Sequence, residues 1–172
     1  EDALREIGLA AKQDLIVAAM TPRPSRDEET PSSLLRRLSS LKLLAEMWIS
    51  PYDWRLLRPL LNESDGEILI ALFKIAIAGA GERDRTLAFR LLTRAIENAN
   101  WYLKSEIENA LAGCFHTIRP LIEEEILSRH QRCNGKDVND PVLTTLLRVK
   151  DSADTHSGRE KGRKGIRALD SW

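Results

Sequence analysis

The chain has 172 residues, 42% of them apolar and 30% charged, which gives room for one domain with a sizeable core and is ordinary for a helix-rich protein. Its 26 basic and 26 acidic residues cancel, so no global field draws it to nucleic acid or to an anionic membrane. No apolar run approaches the roughly 18 residues of a spanning helix. Cys114 and Cys133 are too few for a disulfide framework, so a reducing, cytoplasmic setting is expected.

Apolar residues recur at three- and four-residue steps, without the period-two alternation of strands, and so predict helices throughout. Ala3 to Gly8 reads as the tail of a first helix, with Ile16 and Met20 on the helix that follows. Thr21 to Thr30 is polar, holds two prolines and lacks apolar anchors, which predicts a disordered loop over 21–31. After Pro31-Ser32-Ser33, the stripe Leu34, Leu35, Leu38, Leu41, Leu44, Ala45 and Trp48 marks a helix. Asp53, Trp54, Leu56, Leu57, Leu60 and Leu61 give a short one. Ser64 or Asp65 then caps a helix that is apolar almost all round, from Ile68 to Ala78, and so predicted to be covered on both sides.

Gly79 and Gly81 stop that helix, and the next carries Leu87, Phe89, Leu91, Leu92, Ala95 and Ile96. Asn100 is the expected cap of a helix with Tyr102, Leu103, Ile107, Ala110 and Leu111, which Gly113 closes. The following helix runs from about His116 to His130. Pro141 to Val149 predicts a short capping helix within 131–149, and 150–172 reads as a polar, basic, disordered tail. Short connections imply antiparallel neighbours.

Ile7-Gly8, Ala78-Gly79 and Ala112-Gly113 each read as a helix end, followed eight positions later by Ile16, Leu87 and Leu121. Met20, Leu92 and Ile126 come twelve or thirteen positions after the glycines, and Arg58-Pro59-Leu60-Leu61 echoes Arg119-Pro120-Leu121-Ile122. A hairpin that cannot bury its apolar face alone must stack on its neighbours. The pattern resembles the HEAT-repeat family over about Ala3 to His130. That resemblance implies a right-handed α-solenoid of antiparallel hairpins across 1–130, although the family's Asp and Arg ladder at the hairpin turns is not apparent. A solenoid normally ends in a polar-faced cap, and Glu1 falls mid-repeat, so the chain reads as a C-terminal fragment of a larger protein.

Cys114 and His116 with His130 and Cys133 are the donor types of a zinc site. One helix over 116–130 would hold its ends about 21 Å apart at roughly 1.5 Å per residue, whereas zinc needs every donor within about 2.3 Å. No metal ligand, catalytic residue or cofactor is therefore expected. Glu123, Glu124 and Glu125 point about 100° apart on a helix and form a solvated face. Gly79-Ala80-Gly81 lacks the Gly-Lys-Ser/Thr of a phosphate loop.

The candidate binding residues are Arg83, Arg90 and Arg94, which share part of one helix face, and Trp101 with Tyr102. Some HEAT-like proteins are DNA glycosylases with aromatic and acidic groups on a concave face, a pattern that Trp54 with Asp53, or Trp101 with Glu106, would imitate. Both tryptophans stand at helix starts, where a large ring commonly packs between hairpins. The expected function is a non-catalytic protein-interaction module, a scaffold or sensing arm, with a protein partner and no membrane. The alternative is a nucleic-acid-binding domain acting through the arginine stripe or the basic tail of Arg159, Lys161, Arg163, Lys164 and Arg167.

Overall fold

Residues 2–21, 31–132 and 139–169 are described in this computed structural model, with side chains of the last helix to Thr155. Residues 22–30 of the predicted loop, Cys133, and the basic side chains expected in the tail lie outside the described residues. The elements are α1 (Asp2–Met20), α2 (Pro31–Ala45), α3 (Pro51–Leu57), a 3-10 turn (Arg58–Asn62), α4 (Gly66–Gly79), α5 (Glu82–Asn98), α6 (Trp101–Gly113), α7 (Phe115–Arg132) and α8 (Pro141–Leu169). Among the described residues there is no strand, and the chain is all-α.

Side-chain caps explain several helix starts. The Asp65 carboxylate accepts from the Glu67 and Ile68 amides to open α4, and Asn100 accepts from Leu103 N at 2.8 Å to open α6. Ser50 and Asp53 form a reciprocal capping box on α3, with Pro51 at its first position. That start precedes the apolar residues from which the helix is predicted. The chain divides into two compact units, Glu1–Ala95 and Ile96–Trp172.

In the first unit α4 supplies the centre of the core. Ile68 to Phe73, Ile75 and Ala76 are all buried, as an all-round apolar helix requires. It packs on α2 and α3, and α1 packs on the same two helices. Leu41, Leu44 and Leu57 have no exposed area, and Ile16, Ala19, Ala88, Phe89 and Leu92 are also buried. Arg37 of α2 is buried as well: its Nε donates to the Ala19 carbonyl at the end of α1, and its Nη2 to Glu63 at 2.8 Å. A last-turn carbonyl that has no partner within its own helix thus gains one.

In the second unit α8 packs on both α6 and α7. Ile107, Ala110 and Leu111 of α6, Phe115, Ile118 and Ile122 of α7, and Val142, Leu146 and Val149 of α8 are buried.

The structure corrects five expectations. Gly8 does not end a helix, because α1 runs unbroken from Asp2 to Met20. One interior glycine costs only about 1 kcal/mol, which the helix-favouring residues around it offset. Trp48 lies beyond the end of α2 and is 76% exposed. Leu87, placed in the apolar stripe of α5, is on its outer side. The two Arg-Pro echoes adopt different structures, a 3-10 turn at Arg58-Pro59 and the interior of α7 at Arg119-Pro120. Finally, α8 does not stop at Val149 but continues to Leu169; no proline follows Pro141 to break it.

Gly79 ends α4 as expected, and the structure adds the reason for glycine there. A Cβ at this position would lie 2.5 Å from the Ile49 carbonyl oxygen, so backbone would have to move. Gly79→Ala is expected to lower stability in urea unfolding by about 1–3 kcal/mol, the usual cost of overpacking. Gly81→Ala, with nothing within 4 Å of the added carbon, should change it far less.

Candidate functional site

Which polar side chains are free to act depends on which are already committed to the fold. Asp53 is 2% exposed and Lys12 of α1 is 5% exposed, and their charged groups meet at 2.7 Å. The same carboxylate oxygen accepts from Ser50 N at 3.0 Å and Ser50 Oγ at 2.8 Å. Burial pushes the Asp53 carboxyl up, but the hydrogen bonds from Lys12 and Ser50 outweigh it and hold it below the usual carboxylate range. The Lys12 ammonium also lies 5.5 Å from the centre of the Trp48 ring.

Asp84, in the first turn of α5, accepts from Trp54 Nε1 at 2.8 Å and from Arg58 Nε at 3.0 Å. The Trp54 hydrogen bond is the main reason its carboxyl lies low; burial opposes this, and Arg58 and Arg83 reinforce it. Trp54 is therefore a buried strut between α3 and α5, and neither it nor Asp53 stands on a surface.

In the second unit Asp140 caps α8, accepting from Val142 N and Leu143 N, and both its oxygens receive Nη1 of Arg129 at 3.1 and 2.9 Å. Burial raises the Asp140 carboxyl, while Arg129 and the two amides hold it low. Arg129 also donates to Glu125 at 2.7 Å and to Glu97 at 3.3 Å. Burial works against its charge, yet the carboxylates around it raise its pKa.

Side chains outside these clusters line two grooves. One lies in the second unit between α6 and α8 and encloses about 370 Å³. Trp101, Lys104, Ser105 and Glu108 line one wall, and Pro141, Thr144, Thr145 and Arg148 the other, with Asn139 at the end. The two sets share one spacing, so each is a single helix face. Both helices begin at the Trp101 end and therefore run in parallel, and Arg148 meets Glu108 at 3.5 Å further along. Trp101 is 81% exposed and Tyr102 49% exposed, with their rings edge to face at 6.1 Å. The expectation that Trp101 packs between hairpins does not hold, since only Trp54 is buried in that way.

The other groove lies in the first unit between the 3-10 turn and α5. It encloses about 320 Å³ and is lined by Arg55, Arg58, Pro59, Leu61, Asn62 and Leu87. Arg83, Arg90 and Arg94 are exposed on α5, on the same face as Leu87. The structure thus places the three arginines on one arc of α5 and Trp101 on the lining of a groove, with the Tyr102 ring beside it but not in the lining. Arg148, Thr144 and Thr145 on one wall, and Arg55 in the other groove, are not among the residues predicted from sequence. Their three- and four-residue spacing is legible, but the helix opposite each is not.

Among the described residues no group of three or more His, Cys, Asp and Glu is placed to hold a metal ion. His116 and His130 stay near opposite ends of α7, which is continuous through Pro120. Among the same residues no helix is long and apolar enough to cross a membrane. Comparison with protein-family models, curated proteins and solved structures finds no match for this chain.

Asp53, Asp84 and Asp140 all have carboxyls held below their ordinary value, so the unfolded chain binds more protons than the folded one near pH 4. Their contribution to stability is complete above the unfolded value of about 3.9 and is lost as pH falls from there through the folded values. Urea unfolding should show stability level above about pH 5 and a decline below about pH 4. Asp53→Asn should start lower at neutral pH and decline less steeply. A stability that stays level through that acidic range would contradict the assignment.

Proposed function

We propose that the chain is a non-catalytic protein-interaction module, a HEAT-like α-solenoid working in the cytoplasm that takes a segment of a partner protein along the α6–α8 groove. The observation that carries this reading is Trp101, 81% exposed at the mouth of a groove lined by groups of both charges. Tryptophan and tyrosine are enriched among residues that dominate binding energy, and here two such rings stand side by side and exposed. Lys104, Glu108 and Arg148 offer charges of both signs, and Ser105, Thr144, Thr145 and Asn139 offer donors and acceptors. Such a lining suits peptide backbone and mixed side chains rather than a run of phosphates.

The solenoid reading is supported by the pairing of next-but-one helices, α2 with α4 and α6 with α8, as stacked hairpins require. Absence of catalysis is supported by the use of the perturbed carboxylates. Asp53, Asp84, Glu123 and Asp140 are all shifted down, and each is held by a lysine or an arginine. A general acid needs the opposite shift.

Panning a random peptide library on the intact chain tests the proposal. Peptides enriched on the wild type should lose about 30-fold or more in affinity on Trp101→Ala, the scale of a binding hot spot, and a smaller factor on Arg148→Ala. Failure to enrich any peptide, or a set of enriched peptides none of which loses affinity on Trp101→Ala, would contradict it.

A further inference from the structure

We propose that the groove between the 3-10 turn and α5 is a second, separate site that receives an acidic peptide segment with an apolar residue at its centre. The proposal rests on the interaction reading but not on the Trp101 groove.

The first argument is charge. Arg55 and Arg58 stand on one wall, and no carboxylate is among the lining residues. On the other wall Leu87 lies at the middle of an exposed arc of α5. At about 100° per residue, Arg83, Leu87, Arg90 and Arg94 fall within about 60° of one another. Among the described residues Arg55, Arg90 and Arg94 have no ion-pair partner. The carboxylates near them are off the arc or already engaged. Glu82 lies about 100° away from Arg83, and Asp84 is held by Trp54 and Arg58. Glu97, further along the arc in the second unit, is held by Arg129. Arg58 contributes only its Nε to Asp84 and its side chain is 50% exposed, so donors of its guanidinium remain available.

The second argument is shape and polarity. Pro59, Leu61 and Leu87 form the apolar strip of this groove, with Arg55 and Arg58 in the same lining and the arginines of α5 on the helix face that carries Leu87. A peptide can lay an apolar side chain on that strip and direct carboxylates to both rims, where guanidinium groups grip them in two-pronged fashion. The arc from Arg83 to Arg94 is about 16 Å long at roughly 1.5 Å per residue, the reach of about five extended residues. A duplex shows apolar groups mainly as thymine methyls inside its major groove, and single strands bind on aromatic platforms, of which this groove has none.

Fluorescence anisotropy on the full chain tests the assignment. The probes are a labelled peptide of about ten residues with aspartates and glutamates flanking a leucine, its lysine-substituted counterpart, and a labelled DNA duplex of about fifteen base pairs. The acidic peptide should bind at about 50 mM salt and weaken as salt rises. It should lose at least about tenfold in affinity on the double variant Arg90→Glu, Arg94→Glu, and the milder double variant Arg90→Gln, Arg94→Gln should lose less. Leu87→Ser should weaken it without changing the salt slope, and Trp101→Ala should leave it intact. No acidic-peptide binding at low salt would overturn the proposal while leaving the Trp101 groove standing. Tighter binding of the duplex with the same arginine dependence would overturn it in favour of nucleic acid. Peptide binding that is lost on Trp101→Ala and kept on both arginine double variants would also overturn it.

Discussion

A carboxylate at the start of a helix meets unpaired backbone amides and the positive end of the helix dipole. Asp53, Asp84 and Asp140 each occupy such a position and each add a group from another part of the chain. Asp53 takes Lys12, Asp84 takes Trp54 and Arg58, and Asp140 takes Arg129. Asp53 and Asp140 thus fix both where a helix begins and which neighbour it faces, and Asp84 fixes the neighbour of α5. α1 is tied to α3, α3 to α5, and α7 to α8. A buried pair such as Lys12–Asp53 adds little over apolar packing, but losing one partner strands the other charge at a cost of about 3–5 kcal/mol. These contacts specify arrangement more than they add stability.

The same commitments define what is left for function. Trp101, Arg90 and Arg94 carry no comparable structural duty, and each lies on or beside a groove. Binding on a scaffold of this kind draws on dispersed side chains held by rigid helices, and helix faces at regular spacing hold them well. The α6–α8 groove offers both charges and hydroxyls around an exposed indole, whereas the α5 groove sets two arginines and no carboxylate beside apolar residues.

Much of the fold was legible in the sequence because it rests on local patterns. The all-round apolar run from Ile68 to Ala78 marks a covered helix, and Asp65 and Asn100 cap where capping chemistry places them. Gly8 misled because a glycine has the same identity at a helix end and in mid-helix, and only the turns around it decide. The pairing of Lys12 with Asp53, 41 residues apart, has no local signature, and neither has that of Arg58 with Asp84. The Asp and Arg ladder of the HEAT-repeat family is not apparent at repeat positions, and the cross-links of the structure come from unrelated spacings. Of the site, Trp101 and the arginine arc were readable as unusual residues at helical spacing. The opposing walls depend on which helices come together, which spacing does not encode.

The polar groups of this chain divide into those that hold the helices and those left exposed along the grooves. Thermal melting of single alanine variants tests this division most directly. Replacing Asp53, Asp84 or Asp140 should lower the melting temperature by at least about 4 °C, as losses of about 2 kcal/mol do in a chain of this size. Replacing Arg90, Arg94, Trp101 or Arg148 should shift it by less than about 2 °C, as exposed positions do. Overlap of the two sets, with Trp101→Ala or Arg90→Ala as damaging as Asp84→Ala, would contradict the division and the function built on it.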